Sequence, residues 1–150
     1  MIEKINFNGI PAVHFTAGGY EAVMVPSVGA NVVKLKHTAT GIEILRTPDA
    51  EEMENFKERP QIYGLPLLFP PNRIADGTYT FEGRKYQYPI TIPTQNNYHH
   101  GIIKSEPFTV SRTVERNDFV EIEAVYYSNL FNNAIFRDFP HEFCCRMIFR

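Results

Sequence analysis

The chain has 150 residues with 15 Lys plus Arg against 17 Asp plus Glu, a formal net charge of −2, and 43% hydrophobic content. That length suits one domain able to bury roughly 70% of its unfolded surface, and no boundary or linker is visible within it. The composition excludes a disordered or collagen-like chain, and the near-neutral balance gives no electrostatic footprint for nucleic acid or an anionic membrane.

From Met1 the sequence Met-Ile-Glu-Lys-Ile-Asn lacks the basic flank and apolar block of a secretion signal, and no apolar run approaches the ~20 residues of a membrane span. A cytoplasmic location is the simplest expectation. Strand-like runs at Tyr20–Val25 and Asn31–His37, separated by Pro26-Ser27-Val28-Gly29, predict a hairpin. Ile42-Glu43-Ile44-Leu45 predicts a further short strand, and Thr47-Pro48-Asp49 ahead of acidic residues predicts one short helix ending before Pro60.

The run Gly64-Leu65-Pro66-Leu67-Leu68-Phe69-Pro70-Pro71-Asn72-Arg73-Ile74 is unusual, because prolines fix φ and remove donors just ahead of a polar pair. Arg73 offers five donors in a planar fork, suited to sugar hydroxyls or a carboxylate. An ion pair with Asp76 or a glutamate is the plain alternative, and Asn72 alone fits a turn. Thr78–Phe81 and Arg84–Tyr88 flank Glu82-Gly83, a tight hairpin signal. Its alternating Tyr79, Phe81, Tyr86 and Tyr88 fit either a platform for a sugar ring or ordinary cross-strand pairs.

Asn96-Asn97-Tyr98-His99-His100-Gly101 is a second polar cluster, able to hydrogen-bond and to exchange protons near neutral pH. His100 precedes a glycine and is the candidate for ligand contact, a turn with an exposed or satisfied histidine being the plain alternative; strand alternation would send His99 to the opposite side. His14, His37 and His141 are scattered without metal-ligand spacing, so no metal site is expected. Adjacent Cys144 and Cys145 read as reduced strand residues, since a vicinal disulfide is strained. Dinucleotide, phosphate-loop and nucleophile-elbow motifs are all missing, so no cofactor is expected.

Phe108–Val114 and Phe119–Tyr127 alternate around a polar turn, and Phe143, Cys145, Met147 and Phe149 share one face of a last strand. High aromatic content, 12 Phe and 8 Tyr, also favours strands. An all-β chain is expected. Its final strand has no following turn, which fits either an edge strand or, the preferred reading, a sequence cut partway through its domain.

Residues 65–74 followed by Gly77-Thr78-Tyr79-Thr80-Phe81-Glu82-Gly83-Arg84-Lys85-Tyr86 and by His100-Gly101 resemble the aldose 1-epimerase (galactose mutarotase-like) family. The resemblance spans roughly residues 20–150. It implies a large antiparallel β-sandwich, the galactose mutarotase-like supersandwich, of which this chain is the N-terminal part. It further implies an isomerase that interconverts the α and β anomers of a hexose or hexose phosphate by acid/base ring opening. Carried over by position, Arg73 would bind sugar hydroxyls, Asn72 would support that loop, and His100 would contact the sugar near its ring oxygen. The base and main acid would follow Arg150, so residues 1–150 alone are expected to be inactive. The competing reading is a carbohydrate-binding module on the same fold. In either case the partner is a small-molecule sugar, with neither nucleic acid nor membrane.

Overall fold

A computed structural model describes residues 1–129 and 133–150, the side chains of 133 and 134 excepted. The described elements are mostly strands, paired antiparallel, and the fold is all-β, as expected. The chain divides into two compact units, residues 1–67, 104–126 and 145–150 in the first, and 68–103 and 127–144 in the second. No helix among the described residues is long and apolar enough to cross a membrane.

The first unit begins with β1 (Ile2–Phe7), β2 (Ile10–Ala17), β3 (Tyr20–Val25) and β4 (Asn31–His37), joined in sequence order into a four-stranded sheet. The expected hairpin is β3–β4, with Tyr20 opposite His37 and a register shift between Val23 and Met24. Four consecutive residues of β3, Ala22 to Val25, are buried, so this strand is covered on both faces. Behind the sheet, Ala12, Val23, Val25, Val28 and Val33 pack with Met53, Phe56 and Tyr63 into one apolar cluster.

Two expectations change here. Residues 42–45 form no strand, because the segment makes a single bridge, Glu43 to Lys36, before the chain leaves the sheet edge. The helix, α1 (Met53–Glu58), starts later than Thr47-Pro48-Asp49 implied; the Asp49 carboxylate accepts from the Glu51 and Glu52 amides at 2.9 Å and shapes the approach instead. A short 3-10 turn, Pro60–Ile62, follows.

Asn31, the first residue of β4, is fully buried and serves as a polar clamp. Its Nδ2 donates to the carbonyls of Pro60 (3.3 Å) and Tyr63 (3.1 Å), while its Oδ1 accepts from the Leu65 amide (2.8 Å). Gly64 sits at φ +58, and a Cβ there would lie 2.3 Å from Asn31 Oδ1 and 2.4 Å from the Val32 carbonyl oxygen. Only glycine fits that approach. The start of the proline-rich run is thus pinned to β4.

Later strands are β5 (Ile74–Ala75), β6 (Thr78–Phe81), β7 (Arg84–Gln87), β8 (Asn97–Tyr98), β9 (Thr109–Glu115), β10 (Val120–Ser128) and β11 (Phe143–Phe149), with a second helix α2 (Asn133–Asp138). Strands β11, β10 and β9 form a three-stranded sheet in that order. Along β11 the half-buried residues are Phe143, Cys145, Met147 and Phe149, the face expected from alternation, and neither cysteine is in a disulfide. Glu123 of β10 accepts from Ser111 of β9 (2.7 Å) and from Arg146 of β11, so one carboxylate ties three neighbouring strands. These bonds hold its pKa below the usual carboxylate range.

In the second unit, β6 and β7 form the hairpin expected at Glu82-Gly83, whose two loop residues lie at φ +47 and +77. That left-handed pair matches the twist of the flanking strands. Tyr86, Tyr88 and Tyr98 form the unit's buried centre, with Ile74, Tyr79, Ile102 and Phe139 packed on it.

Candidate functional site

The two polar clusters of the sequence lie in the second unit and are brought together by backbone hydrogen bonds. Ile74 and Ala75 of β5 pair with Tyr98 and Asn97 of β8. Beyond that pairing, the Gly101 amide donates to the Pro70 carbonyl (3.2 Å) and the Ile102 amide to the Phe69 carbonyl (2.7 Å). Asn72 and Arg73 are therefore bracketed against His99 and His100, with antiparallel contacts on either side of both pairs. The prolines contribute as expected: Pro70 and Pro71 have no amide to bond, and the Phe69–Pro70 peptide is cis.

Asn72 is exposed at φ +64, a conformation that Asn tolerates better than most residues. Arg73 is also exposed, and its Nη1 donates to Gln95 Oε1 at 2.5 Å. Among the described residues it has no carboxylate partner. Asp76, the alternative considered from the sequence, instead accepts from Asn96 Nδ2 at 2.6 Å. Gln95 is neutral and takes one donor, which leaves most of the guanidinium's planar fork of donors unused by it.

The loop that carries the histidines is tightly folded. A 3-10 turn, Pro93–Gln95, leads to Asn96 at φ +49, and the Asn97 carbonyl accepts from the Thr91 (3.0 Å) and Ile92 (2.9 Å) amides. Thr91 Oγ1 accepts from the His99 amide at 2.6 Å. His100 is half-buried. The expectation that His99 points away from His100 fails, because their ring centroids lie 4.1 Å apart. Strand β8 ends at Tyr98, so the alternation that would separate the rings does not reach them.

Beneath this loop the tyrosines are strongly perturbed. Tyr98, buried and close to the Asp138 carboxylate, has its phenol pushed up to about 12. Burial raises Tyr88 as well, and its hydroxyl has no hydrogen-bond partner among the described residues. An unfolded tyrosine ionises near 10, so the folded state holds the Tyr98 proton to higher pH. Stability from this source is fully present below pH 10 and is lost as pH rises through about 12. The urea midpoint of the wild-type chain should fall steeply over that range and that of Tyr98→Phe less steeply; equal falls would contradict this assignment.

Beside the loop, a cavity of about 400 Å³ is walled by Phe69, Pro70, Tyr79, Tyr86, Phe139 and His141, with Phe81 at its rim. Arg73 and His100 are not among the residues that line it. Tyr79 and Tyr86 are the cross-strand pair expected for the hairpin, stacked at 4.7 Å and 14°, whereas Tyr88 is buried and presents no surface. Sequence reasoning missed His141, which is linked to Tyr86 by a 2.7 Å bond between Nε2 and the phenol. It also missed Gln95 and Thr91. Gln95 directly precedes the polar cluster at Asn96, the one local signal available for it.

Among the described residues, no group of three His, Cys, Asp or Glu side chains is placed to hold a metal ion. The arrangement thus places a cation, side-chain amides and two imidazoles on two adjacent loops.

Residues 11–150 match the family model of aldose 1-epimerase. The chain belongs to the aldose 1-epimerase family, and its fold is galactose mutarotase-like. A galactose mutarotase-like protein from Clostridium acetobutylicum superposes with a TM-score of 0.92 at 42% identity, over 99% of this chain and 44% of that one. Galactose 1-epimerase from Lactobacillus acidophilus NCFM shares the fold, with a TM-score of 0.64 at 14% identity, over 89% of this chain and 40% of that one. The protein YihR of Escherichia coli K12 is 31% identical over 100 residues, 66% of this chain and 30% of YihR. The chain therefore spans less than half the length of these relatives.

Proposed function

We propose that this chain is the N-terminal part of one mutarotase-like sandwich, and that the whole protein interconverts the anomers of an aldose. In that reaction a base takes the proton from the anomeric hydroxyl, the bond from the anomeric carbon to the ring oxygen breaks, and an acid protonates that oxygen. Rotation about the bond to the anomeric carbon and the reverse steps close the other anomer. Residues 1–150 hold the sugar: Arg73 donates to hydroxyls, Asn72 sets the turn that presents it, and His100 contacts the region of the ring oxygen. The base and main acid lie outside these residues.

The observation that carries this reading is the bracketing of Asn72 and Arg73 against His99 and His100, with Arg73 unpaired by any carboxylate among the described residues. Such a guanidinium suits hydroxyls that a charged partner would otherwise displace. The test is the optical rotation of freshly dissolved α-glucose or α-galactose with the full-length protein. Relaxation faster than buffer is expected, and a rate equal to buffer for every aldose tried would end the proposal.

A further inference from the structure

We propose that Gln95 is a positioning residue for Arg73: its side-chain carbonyl holds the guanidinium in one orientation before a ligand arrives, without capturing it as a carboxylate would. This deepens the sugar reading above and rests on it. The bond, from Arg73 Nη1 to Gln95 Oε1, is 2.5 Å long and joins loops 22 positions apart in sequence. Both side chains are exposed. No packing therefore restrains the arginine, and this bond is the one restraint upon it among the described residues.

A long side chain acquires a fixed aim only from a partner that is itself fixed. Gln95 closes the 3-10 turn that begins at Pro93; its amide donates to the Ile92 carbonyl (3.2 Å), and the Asn96 amide donates to the Pro93 carbonyl (3.1 Å). Asn96, at φ +49, is then tied twice to Asp76, at φ +56. The Asp76 amide donates to the Asn96 carbonyl at 2.8 Å, and Asn96 Nδ2 donates to the Asp76 carboxylate at 2.6 Å. Pairing of β5 with β8 continues directly from this brace. The two backbones are thus held together, and the Arg73–Gln95 bond settles the rotamers that remain.

The chemistry of the partner matters as much as its place. A carboxylate meets a guanidinium with two parallel bonds and competes with any ligand for the fork. An amide carbonyl takes one donor of five. The acid nearest in sequence, Asp76, is engaged by Asn96. Ordering a free arginine at the moment of binding would weaken affinity roughly three- to tenfold.

Two measurements on the full-length protein test this. Without sugar, the NMR order parameter of the Arg73 Nε–H group should fall in Gln95→Ala; an unchanged value would overturn the positioning role whatever the protein binds. In an NMR titration with galactose, Gln95→Ala should bind three- to tenfold more weakly than wild type and should cause no further loss in an Arg73→Ala background. Gln95→Glu should bind weakly at low ionic strength and recover as salt screens the new ion pair, whereas wild-type affinity for a neutral sugar stays flat. Equal losses from Gln95→Ala in both backgrounds, or a Gln95→Glu protein with wild-type affinity at every salt concentration, would contradict the proposal. If Arg73→Ala weakens binding and Gln95→Ala does not, the sugar site stands without this device. If Arg73→Ala leaves affinity unchanged, the sugar reading itself fails at this residue, and the proposal fails with it.

Discussion

Replacing Arg73 by alanine should lower kcat/KM for an aldose by roughly 10- to 100-fold while leaving the fold intact. Hydrogen bonds from a charged donor to a bound ligand are each worth about 1.5–3 kcal/mol, and tenfold corresponds to about 1.4 kcal/mol. The fold should survive because the side chain is exposed and bonds only to Gln95 among the described residues. Arg73→Lys should recover little, since a single ammonium cannot reproduce the planar fork. His100→Gln separates the roles: with the main acid elsewhere, loss of the imidazole contact near the ring oxygen should lower kcat by roughly tenfold, the value of one hydrogen bond of about 1.4 kcal/mol, with a smaller change in KM. Steady-state polarimetry on the full-length variants measures both. An Arg73→Ala protein with wild-type kcat/KM would remove the guanidinium from the site.

The second large effect concerns stability. Asn31→Ala should cost about 3 kcal/mol, because three hydrogen bonds of about 1 kcal/mol each are lost, although the Pro60 carbonyl keeps the Tyr63 amide and the Leu65 amide keeps the Val32 carbonyl. For a chain of this size that corresponds to a fall in Tm of roughly 6–12 °C. Asn31→Asp is the sharper comparison, being nearly the same shape. It offers an acceptor to the Pro60 and Tyr63 carbonyls, and should destabilise at least as much as alanine does. If the aspartate variant unfolds at the wild-type urea concentration, the residue contributes shape and not hydrogen bonds.

Local signals carried much of the fold. Glu82-Gly83 dictated a two-residue turn with both residues at positive φ, and the alternation in residues 143–149 matched the face observed in β11. Asn8-Gly9 is a turn signal of the same kind, with φ +47 and +89 between β1 and β2, and was legible in principle. Residues 42–45 have strand-like side chains but, among the described residues, pair with β4 through one bridge only, so the propensity was not realised. Local pattern reports preference, and pairing decides the outcome.

For the site, Asn72, Arg73 and His100 stood out because proline and glycine flank them, and register then places the two loops side by side. The supporting residues were not legible. Gln95 acts on Arg73 across 22 positions and His141 on Tyr86 across 55, distances over which no local rule operates. The side-by-side rings of His99 and His100 follow from where β8 ends, a boundary of two residues that sequence reading does not resolve.

The most direct measurement is a crystal structure of the full-length protein with galactose. The Arg73 guanidinium and the His100 imidazole should both lie within about 3 Å of oxygens of one pyranose ring. A sugar bound elsewhere, or one touching only one of these two groups, would contradict the account.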